Sequence, residues 1–147
     1  MPNIQKVDIT PKHIVGFKTR IENADEMHPD TKKIGALWGR FIGEVSPSFP
    51  HYGVYYNYDP YLRGHYDLLA GIEGEPNQPF DSVTIKEDRY LKFSAKGELH
   101  QAVLQCWEQV WAYFQDPSID ERRAYETDFE VYRSMDEVEI YIGVHYF

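Results

Sequence analysis

Residues 124–147, AYETDFEVYRSMDEVEIYIGVHYF, decide how this chain is read. Two runs in it alternate with the period of two that marks a strand, and the short turn Ser134-Met135-Asp136-Glu137 joins them as a hairpin. In the first run Phe129 and Val131 share one face, and Glu130 and Tyr132 the other. In the second, Ile140, Ile142 and Val144 share one face, and Glu139, Tyr141 and Gly143 the other. The pattern predicts one aliphatic face packed on a core and a second face that mixes carboxylates with tyrosines. A carboxylate among aromatic rings attracts a lipophilic cation through charge and ring quadrupole together. The same residues also suit a plain solvated strand face.

Upstream, residues 4–21 read as extended, broken at Pro11, and Asn23–Pro29 as a polar loop. Asp30 is placed to cap a helix over about 31–45 whose apolar positions are Ile34, Leu37, Trp38, Phe41, Ile42 and Val45. Tyr52–Tyr58 and His65–Ile72 read as strands, Gly74–Pro79 as a connector, and Ser82–Phe93 as extended. A second helix is expected from Leu99 to Gln115, with Val103, Cys106, Trp107, Val110, Trp111 and Phe114 on its apolar side and Asp116-Pro117 closing it. A loop over Ser118–Arg123 leads into the final hairpin. Each half thus runs strand, helix, strand, strand. Aligning the helices sets Trp38 on Trp107 and Leu37 on Cys106, and Asp67–Ile72 aligns with Glu139–Val144. The expected fold is α+β: one domain over 1–147, duplicated about a pseudo-twofold with halves at about 1–75 and 80–147. It would have an antiparallel sheet, two main helices and a central ligand cleft.

Composition narrows the function. A formal net charge of −9 disfavours nucleic acid, which needs clustered Lys and Arg; only Lys32-Lys33 and Arg122-Arg123 occur as basic pairs. No apolar run reaches membrane-spanning length and no signal peptide opens the chain, so a cytoplasmic protein without a membrane partner is expected. The single Cys106 agrees with that compartment and reads as a core thiol. His13, His28, His51, His65, His100 and His145 show no metal-ligand spacing, so neither a metal nor another cofactor is expected. Phosphate-loop, dinucleotide, zincin and nucleophile-elbow motifs are absent. Twelve Tyr and three Trp exceed what a small core needs and suit the walls of a pocket or an interface.

The opening Ile14-Val15-Gly16-Phe17-Lys18-Thr19-Arg20, the helix around Leu37-Trp38, the strand Phe129-Glu130-Val131-Tyr132 and the ending Val138–Val144 together resemble the GyrI-like small-molecule-binding domain, also called the AraC-type effector-binding domain. The resemblance spans nearly the whole chain and rests on order and spacing. It implies a ligand cleft between two duplicated α+β units. It also implies that Glu130, matching the family's buried glutamate, recognises lipophilic cations such as drugs and dyes in multidrug fashion. This chain differs in carrying Gly143 where the closing strand often has proline. It also shows no helix-turn-helix before Ile4 or after Phe147, so it resembles the stand-alone members carried on mobile gene cassettes. Direct DNA binding and direct control of transcription are therefore not expected.

The leading reading is a binding module rather than an enzyme. Its partner is a small organic cation, and its wall residues are Trp38, Tyr55, Tyr66, Trp107, Trp111, Tyr132 and Tyr141 around Glu130. Glu139 is the rival carboxylate, expected to be screened by exposure at its strand end. An alternative is a hydrolase of electrophilic small molecules with Glu130 as its catalytic base, as in one branch of the family. A third is an acidic protein that binds and inhibits a DNA-handling enzyme, its protein partner unknown.

Overall fold

The computed structural model describes residues 4–23, 33–44, 49–61, 64–75, 80–86 and 88–146. Its elements in chain order are β1 (Gln5–Ile9), β2 (Lys12–Glu22), α1 (Ile34–Glu44), β3 (His51–Tyr56), β4 (His65–Glu73), β5 (Asp81–Ile85), β6 (Asp88–Lys96), α2 (Leu99–Gln115), β7 (Glu121–Ser134) and β8 (Glu137–Tyr146). The strands form one antiparallel sheet in the order β1-β6-β8-β7-β3-β4-β2-β5. That order reads alike from both ends. β2, α1, β3 and β4 make one unit, β6, α2, β7 and β8 the other, and they meet at the central β3–β7 pair. The strand ahead of each unit crosses to the opposite edge: β1 pairs with β6, and β5 with β2.

Each helix buries the stripe its apolar period defines. α1 sets Leu37 and Phe41 on Phe17, Ile21, Leu68 and Ala70. α2 sets Ala102, Cys106 and Val110 on Leu91, Phe93, Val138, Ile140 and Ile142. Each large side chain so buried stabilises the fold by roughly 1.5–3 kcal/mol. The carboxylate of Glu98 starts α2 by accepting from the amides of His100 and Gln101, at 3.1 and 3.0 Å, and those bonds hold its carboxyl below the usual range. The helices thus cover the outer strands of their own units and leave the β3–β7 seam between them. Among the described residues no helix covers the other face of the sheet. There the edge strands contribute Val7, Ile9, Val83 and Ile85 to one cluster with the central Tyr52, Val54, Phe129 and Val131. The sheet curls on itself to bury that face.

Several expectations change in detail. Asp30 and Val45 lie outside the described residues, as do most of the predicted polar loop and much of the connector. Ser82–Phe93 is two strands separated at residues 86–87, and β7 starts at Glu121, inside the expected loop. The larger correction concerns the hairpin faces. Glu130 pairs with Ile140, and Phe129 with Tyr141. Directly paired residues project to the same side, so the two carboxylate–tyrosine groups lie on opposite faces. Glu130 and Tyr132 face the helices with the aliphatic residues of β8, whereas Glu139 and Tyr141 share the back face with Phe129 and Val131.

Candidate functional site

Glu130 stands on the seam and is 3% exposed. One carboxylate oxygen, Oε2, accepts from the Tyr55 hydroxyl and from Trp107 Nε1, both at 2.8 Å; the other, Oε1, accepts from the Tyr132 hydroxyl at 3.0 Å. All three donors are neutral, and no Lys or Arg among the described residues pairs with it. Burial pushes its carboxyl above the usual range, and the three donors pull the other way without winning. Burial and the negative charge of Glu130 in turn raise Tyr55 and Tyr132 well above the ordinary phenol value, which keeps both as donors. Gly53 lies opposite Glu130 on β3, and a Cβ there would sit 2.8 Å from Oε1 and 3.0 Å from the Trp38 ring. The missing side chain is the space that the carboxylate and Trp38 fill. Trp38 meets Tyr132 edge-on at 5.3 Å, so α1 and α2 each bring one tryptophan to the group around Glu130.

A cleft of about 730 Å³ opens beside this group. Tyr55, Tyr58 and Tyr66 line it from the sheet and the loop after β3, Leu104, Trp107 and Trp111 from α2, and Arg123, Ala124 and Tyr125 from β7. Tyr55 and Trp107 therefore serve twice, as cleft wall and as donors to Glu130. Trp111 stacks on Trp107 at 6.1 Å and is 51% exposed, so it forms the outer wall rather than core. The β7 wall is a bulge. Arg123 pairs with Val144 and Asp128 with Ile142, so four residues of β7 stand against Gly143 alone, and Tyr125 takes φ +54°.

Asp128 is a second carboxylate beside the seam, with no solvent exposure. It accepts from Arg123 Nη2 at 2.7 Å, the Tyr58 hydroxyl at 2.6 Å and the Gly143 amide at 3.0 Å. Glu139, on the back face, pairs with Lys92 at 2.9 Å and Arg133 at 2.6 Å. Burial would raise its carboxyl, but those partners and the Tyr141 hydroxyl hold it below the usual range. Among the described residues no cluster of His, Cys, Asp or Glu could hold a metal ion, and no helix is long and apolar enough to cross a membrane.

Residues 7–144 match the family of integron-associated effector-binding proteins. The chain belongs to that family. Among solved structures, an integron cassette protein from the mobile metagenome of Vibrio cholerae is 37% identical, with a TM-score of 0.87 over 97% of this chain and 95% of that one. This effector-binding protein also shares its fold with SAV2435, solved bound to tetraphenylphosphonium, at 20% identity and a TM-score of 0.74 over 97% and 94% of the two chains. EcmrR, solved in a complex with DNA, is 11% identical with a TM-score of 0.59; it covers 99% of this chain, and 58% of its own length is matched. No curated protein matches the sequence.

In this effector-binding protein the residues expected from sequence mostly converge. Glu130, Tyr132, Trp38, Trp107 and Tyr55 form one group, and Tyr66 and Trp111 join the cleft wall. Tyr141 is not brought there, because it stacks on Phe129 at 4.5 Å on the opposite face. Glu139 is buried and ion-paired, not exposed and screened at a strand end as the sequence suggested. Asp128, Arg123, Tyr58 and Tyr125 escaped sequence reading. One signal was present: Asp128 falls two residues from Glu130 and so shares its face.

Proposed function

We propose that the protein binds a small lipophilic cation, drug- or dye-like, in the cleft between α2 and the tyrosines of β3 and β4, with Glu130 as counter-charge. One observation carries this reading: Glu130 is a buried carboxylate held by three neutral donors and balanced by no cation among the described residues. Burying an ionised carboxylate without a counter-ion costs several kcal/mol. A cation resting on the faces of Tyr55, Tyr66, Trp107 and Trp111 recovers part of that cost. At about 6 Å and an effective dielectric of about 20, the attraction is on the order of 3 kcal/mol, and the ring quadrupoles add to it. The bound tetraphenylphosphonium of SAV2435 supports the reading, since that neighbour shares the fold and its ligand is of this class. A general-base role for Glu130 is less well served: both oxygens are engaged and almost no surface is open to a reacting water.

The test is a tryptophan-fluorescence titration with tetraphenylphosphonium and its anionic counterpart of equal shape, tetraphenylborate. The cation should bind at least about tenfold tighter. Glu130→Gln should weaken cation binding by roughly 1–3 kcal/mol, ten- to a hundredfold, while the protein stays folded. Equal binding of the two ions by the parent protein would sink the idea.

A further inference from the structure

We propose that Arg123 sets the valence of the ligand, so that the cleft accepts singly charged cations and rejects doubly charged ones. This rests on the cation-binding reading above and adds to it. Two of the buried carboxylates of β7, Asp128 and Glu130, lie on one face and two positions apart, about 7 Å by strand geometry. Left to themselves they would set two negative charges behind the wall of the cleft and suit a dication. Arg123 prevents this. Its guanidinium donates to Asp128 at 2.7 Å and is largely buried, and its Cζ lies 4.4 Å over the ring of Tyr125 on the cleft wall. The Tyr58 hydroxyl and the Gly143 amide take up the remaining capacity of Asp128. Asp128 is therefore spent inside the fold, and Glu130 is the one carboxylate of the pair still without a counter-charge.

The cleft is consequently one-ended. At the Tyr55–Trp107 end a negative charge lies one hydrogen bond behind the wall. At the Tyr58–Tyr125 end the wall is a neutralised pair whose positive member lines the cavity. A second positive charge on the ligand would be pushed against Arg123 in a poorly solvated space, where like charges repel strongly. The other ionisable wall residues weigh less. Asp59 accepts from the Tyr61 amide at 2.8 Å, His65 lies 3.6 Å from Glu22, and both are partly exposed, so water and salt screen them.

Four proteins and two probes of one shape test this. The probes are N-methyl-phenylpyridinium, a monocation, and dimethyl-bipyridinium, its dication on the same biaryl skeleton. The parent should favour the monocation by about tenfold or more. Arg123→Met, which exposes the second carboxylate, should move the ratio toward the dication by about tenfold or more. Asp128→Asn, which leaves the arginine unbalanced, should weaken the monocation by about tenfold. The double variant Arg123→Met/Asp128→Asn restores one net negative charge and should restore the parental preference; it and Asp128→Asn keep the test decisive should Arg123→Met not fold. A parent that binds both probes equally, or a ratio unchanged in every folded variant, overturns the valence assignment and leaves the cation-binding reading standing. A parent that binds neither probe nor tetraphenylphosphonium overturns both.

Discussion

At the scale of single residues, Glu130 is an acid that the fold makes easier to protonate. Its folded value lies above its unfolded one because burial outweighs three hydrogen bonds. The stability it contributes is therefore present below the unfolded value and lost as pH rises through the folded one. At neutral pH the ionised carboxylate costs stability, and it is this ionised form that the proposed cation binding would use. Tetraphenylphosphonium affinity should accordingly fall as pH is lowered, beginning above the ordinary carboxylate range of about 4.3–4.5. The same titrations on Glu130→Gln should show no such fall, and its advantage in melting temperature over the parent should shrink as the solution is acidified. A pH profile shared by both proteins would show that Glu130 is not the titrating partner of the cation.

At the scale of elements, the seam works because β3 is thin where β7 is thick. Gly53→Ala would press a methyl against an oxygen fixed by a donor and against the Trp38 ring, at 2.8 and 3.0 Å. It should cost roughly 1–3 kcal/mol and weaken the cation, read by thermal unfolding and by titration. Gly35→Ala and Gly39→Ala, on the open side of α1 with nothing within 4 Å, should instead raise stability by roughly 0.5–1 kcal/mol. The helices were legible in the sequence because their burial is periodic: Leu37 and Phe41, then Ala102, Cys106 and Val110, each repeat at helical spacing. The bulge at 124–127 was not, because alternation counts residues and cannot tell which of them leave the ladder. The break within 82–93 escaped for a similar reason, as both sides of it are extended and only their partners differ. Tyr141 was misplaced because period two fixes faces within a strand, while the register that relates one strand's faces to the next is set by pairing.

At the scale of the whole molecule, the matched helices and the aligned strand ends pointed to a doubled unit, and the strand order is symmetric about β3 and β7. The crossing of β1 and β5 to the far edges had no sequence signal, since pairs as far apart as Gln5 and Lys92, or Gly16 and Asp81, leave no local trace. That crossing makes each half a holder of the other's outer strand. Val7 and Ile9, and likewise Val83, are half-buried and Ile85 is buried, each packed in the company of the opposite half. A chain severed between Glu75 and Phe80 should therefore behave as a self-complementing pair. The two fragments, co-expressed, should elute together at the size of the intact protein and regain cation binding, and each alone should stay unfolded. Fragments that fold singly as stable monomers would contradict this. Such a pair would be a natural reporter, because an effector gripped by Tyr55 from one fragment and Trp107 from the other would hold the two pieces together, turning ligand concentration into association.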